Sequence, residues 1–132
     1  MVEVGVLIDQ NNNPLYWHLP AARTAGSIPD SRTLWDWIWD NRSRISGFAH
    51  SHPGSGEPGP SWTDITTFAA IEVALGRRLN WWITSSDQMV VVKWIGPGKH
   101  EYACQRIQDT WWVAKLRRLS NEEMPEIIFH DQ

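Results

Sequence analysis

The chain opens on an apolar run, Val2 to Ile8, interrupted only by Glu3 and Gly5. A run of that length reads as a buried strand, and Gly5 inside it allows a second backbone to come close. Asn11-Asn12-Asn13-Pro14 is a turn and Leu15 to His18 a short return strand, so the two form a hairpin. Leu19 to Pro29 has no period and reads as a loop flanking a cleft. Asp30 or Ser31 caps a helix that runs to about Arg42, with Leu34, Trp35, Ile38 and Trp39 on its apolar stripe and Trp37 off it. Ile45 to Ser51 is a short central strand. The segment Pro53 to Pro60 holds three glycines and three prolines, so it cannot be the interior of either regular element.

Ser61 is placed to cap the next helix, with Asp64 at the third helical position as in a capping box. That helix continues through Phe68, Ile71, Val73 and Leu75 to a stop near Gly76. Leu79 to Ser85 and Met89 to Ile95 read as an antiparallel pair at the centre of a sheet. Gly96-Pro97-Gly98 breaks the chain, Glu101 to Gln105 adds a strand, and Gln108 to Leu119 reads as a helix. The acidic tail from Asn121 ends in Ile127-Ile128-Phe129, which packs back or meets a partner.

Composition narrows the function classes. A chain of 132 residues is the usual size of one domain. A net charge of -3 gives no bulk attraction for nucleic acid or an anionic membrane. No apolar run approaches the roughly 20 residues of a membrane span, and no secretory pattern opens the chain. The single cysteine, Cys104, excludes an intrachain disulfide, reads as a small core residue, and fits a reducing, cytoplasmic setting. Most of the ten tryptophans are expected in the core or at a subunit interface, with some exposed to a partner or substrate and a homodimer through them in view.

The chemistry gathers around His50-Ser51-His52-Pro53. On a strand, histidines two apart share a face. Asp64 returns from the next helix to join them, giving His50, His52 and Asp64 as three ligands for a zinc ion with a fourth position open. Such an ion acidifies water into a nucleophile near neutral pH. A base must still take the proton, and a donor must face the developing oxyanion. Ser61 sits at the helix start for the second task. Each residue also has a plainer reading: a solvated His pair, a capping Asp, a capping Ser. Glu3 has two: a fraying strand end with a solvated carboxylate, or a carboxylate set beside a reacting centre.

The ordered set His50-Ser51-His52-Pro53, loop, Ser61-Trp62-Thr63-Asp64 resembles the JAMM motif of the JAB/MPN metalloprotease family. The resemblance covers about residues 2 to 95. It implies zinc on His50, His52 and Asp64, Ser61 assisting the oxyanion, and Glu3 as general acid/base. It implies a single α/β domain over 1–132, with 96–132 as a C-terminal extension. The implied fold is a curved mixed or antiparallel sheet flanked by helices, layered like a cytidine deaminase. The implied activity is a zinc metallopeptidase or isopeptidase acting near the C-terminal tail of a ubiquitin-like or sulfur-carrier-like protein. A metal-containing interaction module without catalysis and a zinc hydrolase of a non-peptide amide are the alternatives. Two features depart from the family pattern. The chain begins almost at the Glu-bearing strand, and eight residues separate His52 from Ser61 where seven are usual. Glu57 in that loop is a competing candidate for metal or base.

Overall fold

The computed structural model describes residues 2–19 and 31–121. In chain order the elements are β1 (Gly5–Asp9), β2 (Pro14–His18), α1 (Arg32–Asp40), β3 (Ile45–Ser51), α2 (Trp62–Leu75), β4 (Asn80–Thr84), β5 (Met89–Trp94), β6 (Tyr102–Ile107) and α3 (Val113–Asn121). The cleft-wall loop expected over Leu19 to Pro29 falls almost wholly, and the tail beyond Asn121 wholly, outside the described residues. None of the described helices is long and apolar enough to cross a membrane.

The six strands form one mixed sheet in the order β2-β1-β3-β4-β5-β6. Every neighbouring pair is antiparallel except β3 with β4, which α2 joins as a crossover. The expectation of a curved sheet is overturned: the sheet is open and uncurled, and β2 and β6 are edges that do not meet. Packing supplies a reason. Each face already has its own cover, so neither needs to wrap around a core.

Strand alternation assigns the two faces. Val4, Val6, Ile8, Ala49, Trp82, Met89 and Val91 point to one side and pack against Trp112, Val113 and Leu116 at the start of α3. Leu7, Trp81, Ile83, Val90 and Val92 point to the other and meet Leu34 and Ile38 of α1 and Phe68 of α2. Trp35 and Trp39, expected on the apolar stripe of α1, are exposed, so that stripe is narrower than expected; Trp37, expected off it, is exposed too. Cys104, expected in the core, is exposed on edge strand β6.

Local chemistry explains where elements start and stop. Ser31 caps α1 by accepting from the Leu34 N–H at 3.0 Å. Gly76 closes α2 in the left-handed conformation, φ 70°, that glycine adopts without a side-chain clash. In the β1–β2 turn, Asp9 Oδ1 accepts from the Asn11 and Asn13 N–H groups at 2.8 and 2.9 Å. The Trp111 and Trp112 indoles donate to the Asn12 carbonyl and side-chain oxygen, both at 2.8 Å, and tie this turn to the start of α3. Only three of the ten tryptophans, Trp81, Trp82 and Trp112, are buried.

A candidate metal centre

The site is built on one face of the sheet where β1 begins and β2 and β3 end. Gly5 lies directly across from His50 on one side and from His18 on the other. Residues opposite one another in an antiparallel pair share a face, so His18 and His50 both flank the strip above Gly5. A Cβ on Gly5 would lie 2.2 Å from the tip of the Phe48 ring, so any other residue there would push that ring aside. Before β1, the chain continues alongside β3. Val4 N–H donates to Ser51 Oγ at 3.0 Å, and Ser51 N–H donates to the Val4 carbonyl at 3.0 Å. This clamp puts Glu3 on the face of Gly5 and His50, and Glu3 is 7% exposed. The fraying, solvated reading of Glu3 is thereby excluded.

The donor atoms converge. His50 Nε2 and His52 Nε2 are 3.0 Å apart. Asp64 Oδ1 is 3.4 Å from the first and Asp64 Oδ2 is 3.3 Å from the second. Glu3, His50 and His52 offer ligand atoms all within 4.8 Å of one another. Glu3, both histidines, Asp64, Ser61 and His18 line a single cavity of about 570 Å³. Glu57 is exposed and is not among the residues lining it.

The capping box expected at α2 is present. Ser61 Oγ accepts from the Asp64 N–H at 3.0 Å, and Asp64 Oδ2 accepts from the Ser61 N–H at 2.9 Å. Capping and convergence on the histidines therefore share one carboxylate. A serine hydroxyl has one proton and two lone pairs, so this acceptor role leaves the Ser61 proton for another partner.

The eight-residue loop between His52 and Ser61 still returns Asp64 to the histidines, because glycine and the β4–β5 turn absorb its length. Gly54 and Gly56 take φ values of 110° and 92°. The Ser86 N–H donates to the Gly54 carbonyl at 2.8 Å, and the Gly56 N–H donates to Asp87 Oδ1 at 2.9 Å. Arg117 of α3 braces the far side of that turn, donating to the Ser85 carbonyl at 2.9 Å while gripping Asp109 with two bonds.

Electrostatics separate the carboxylates. Burial pushes the Glu3 carboxyl up, against the pull of His50 and His52, and the Asp64 charge raises it further. Burial also acts to raise Asp64, but hydrogen bonds from the His50 and His52 rings hold it far below the usual carboxylate range. Burial would lower His52, and the Asp64 hydrogen bond with the Asp64 and Glu3 charges raises it overall.

His18 escapes a reading of the sequence. It is 2% exposed and lines the same cavity. Its face depends on hairpin register, which includes a shift between Leu7 and Ile8 that no periodicity reveals. Thr63 and Thr67, further lining residues, were equally silent as helical threonines.

Mixed sheet, flanking helices and a Glu-His-His cluster define an α/β domain with a candidate metal centre. Residues 3–108 match the family model described as prokaryotic homologs of the JAB domain, and the chain belongs to that family. No curated protein matches the chain.

Proposed function

We propose that the protein is a zinc-dependent hydrolase of peptide or isopeptide amides, with His50, His52 and Asp64 holding the ion. One observation carries the reading. Zinc bonds of roughly 2.0–2.1 Å in a tetrahedron put neighbouring ligand atoms about 3.3–3.4 Å apart. Here the two ring nitrogens are 3.0 Å apart, and each stands at about that spacing from one Asp64 oxygen, His50 Nε2 3.4 Å from Oδ1 and His52 Nε2 3.3 Å from Oδ2. Two imidazoles and a carboxylate are also a donor set that zinc favours. Bound there, the ion would supply Lewis acidity, polarising a carbonyl and lowering the pKa of water.

The chain's own groups account for the rest. Glu3, raised toward neutrality by burial, takes a proton from the attacking water and returns it to the amine that leaves as the C–N bond breaks. Ser61 donates its hydroxyl proton to the carbonyl oxygen as charge develops. The resemblance to JAB/MPN peptidases supports a substrate amide near the end of an extended protein tail.

Elemental analysis should find about one zinc per chain, and Glu3→Gln should keep the metal while losing hydrolysis. Purified protein that takes up no zinc when the metal is added sinks the reading. A second reading concerns partners. Trp35 and Trp39, four residues apart on α1, are both exposed and offer a face to a second copy of the chain. Sedimentation equilibrium tests this, and a monomer at all concentrations removes it.

A further inference from the structure

The cavity extends well past the candidate metal ligands. Asp64, Phe68 and Ile71 sit at helical spacings of four and three residues on α2, so they share one face of it. At 1.5 Å per residue the wall runs about 10 Å inward from Asp64 to Ile71. Beyond the mouth it is made of Leu34, Ile38, Phe68, Ile71, Leu79 and Trp81. The one polar atom on these side chains, the Trp81 indole nitrogen, donates away to Glu72 Oε2 at 2.9 Å. The inner end therefore offers water almost no hydrogen bond.

An interior normally packs such a space shut. Here the wall is held back. Phe68 stacks flat on Trp81, centroids 4.3 Å apart. Glu72 grips Trp81 and also accepts from the Leu79 N–H at 2.9 Å and from Arg78 and Tyr102. The rings cannot swing inward without breaking this cluster. A volume of about 570 Å³ lies within the range of ligand sites. An apolar space of that kind takes apolar ligands rather than water.

We infer that the inner end of the cavity is a specificity pocket for one large apolar side chain, aliphatic or aromatic, on a substrate residue flanking the cleaved amide. The inference rests on the hydrolase reading only for where the amide lies. The cavity joins the two: its mouth carries the metal-ligating and acid/base groups, and its inner wall carries the pocket. A substrate with glycine at that position would leave the space unfilled.

The test uses zinc-loaded protein and a series of quenched fluorescent peptides identical except for Gly, Ala, Leu or Phe beside the scissile bond. We expect kcat/KM to rise at least about tenfold from Gly to Leu or Phe. Ile71→Phe, which fills the pocket, should erase that preference. Ile38→Ala, which enlarges it, should shift preference from Leu toward Phe and keeps the test alive if the first variant does not fold. In parallel, methyl NMR should show Leu34, Ile38 and Ile71 responding to N-acetyl-leucinamide and not to N-acetyl-glycinamide. Equal cleavage of the Gly and Leu peptides overturns the pocket and leaves the hydrolase standing. Methyl responses to leucinamide with no peptide cleaved keep the pocket and remove the hydrolase.

Discussion

Two buried glutamates lie on the same face of this protein and live by opposite rules. Glu72, 3% exposed, accepts hydrogen bonds from Arg78, the Leu79 N–H, the Trp81 indole and the Tyr102 hydroxyl. Every lone-pair direction of its carboxylate is used, and the charge is paired. Glu3, 7% exposed, makes no hydrogen bond among the described residues, and faces two histidines and a second carboxylate instead. Burial alone thus marks neither structure nor chemistry. Satisfaction separates them: Glu72 ties α2 to β4 and β6, while the Glu3 carboxyl has no hydrogen bond among the described residues and lies beside the two histidines.

The sharpest way to break this comparison is at the reaction. Glu3→Gln keeps the shape and removes the titrating proton, so hydrolysis by zinc-loaded protein should fall by roughly 10²–10⁴-fold with zinc content unchanged. Unaltered rates would reduce Glu3 to a bystander. Glu72→Gln should leave zinc stoichiometry alone. Next in size, Asp64→Ala should weaken zinc binding by more than about 100-fold, since loss of mere outer partners of a ligand already costs about 10- to 100-fold. Competition with a chromogenic chelator reads this directly.

Stability supplies the next contrast. Glu72→Gln leaves Arg78 without its counter-charge and puts an amide N–H against donors. Urea unfolding should show a loss of about 3 kcal/mol. The same substitution at Glu3 should act in the opposite direction in metal-free protein, stabilising it by about 1 kcal/mol at neutral pH. The sign follows from burial. Glu3's folded pKa lies above its unfolded value, so its stabilising contribution is full below the unfolded value and is lost as pH rises through the folded one. The advantage of Glu3→Gln should therefore shrink as the pH is lowered through that window, which melting curves at several pH values would follow. Destabilisation by both substitutions would show that Glu3 is as structurally committed as Glu72.

Local chemistry made much of this legible from residues alone. The strand Ile45–Ser51, the Ser61 and Asp64 capping box and the Gly76 stop are written in short stretches of sequence, and the structure forms all three. The ordering of His50, His52, Ser61 and Asp64 pointed to their convergence because a strand puts alternate residues on one face and the loop lets a helix return to it. Readings that depended on neighbours distant in sequence fared differently. Trp35 and Trp39 fall on the apolar stripe of α1 by spacing but are 36% and 49% exposed, since only packing selects how much of that stripe is covered. Cys104 lies outside because its strand sits at the sheet's edge. The curved sheet expected from family resemblance gave way to an open one, with helices covering both faces.

What the sequence determined by itself was therefore the identity and order of the chemical groups, their local caps and turns, and the face that His50 and His52 share. These depend on backbone period and on side chains within a few residues of one another. Tertiary structure decided the rest. The clamp between Val4 and Ser51 buried Glu3 beside the histidines, a hairpin register shift placed His18 in the same cavity, and donors from the 78–81 stretch and from β6 satisfied Glu72. Each of those outcomes depends on which strands become neighbours, and burial and pairing are properties of neighbours rather than of residues.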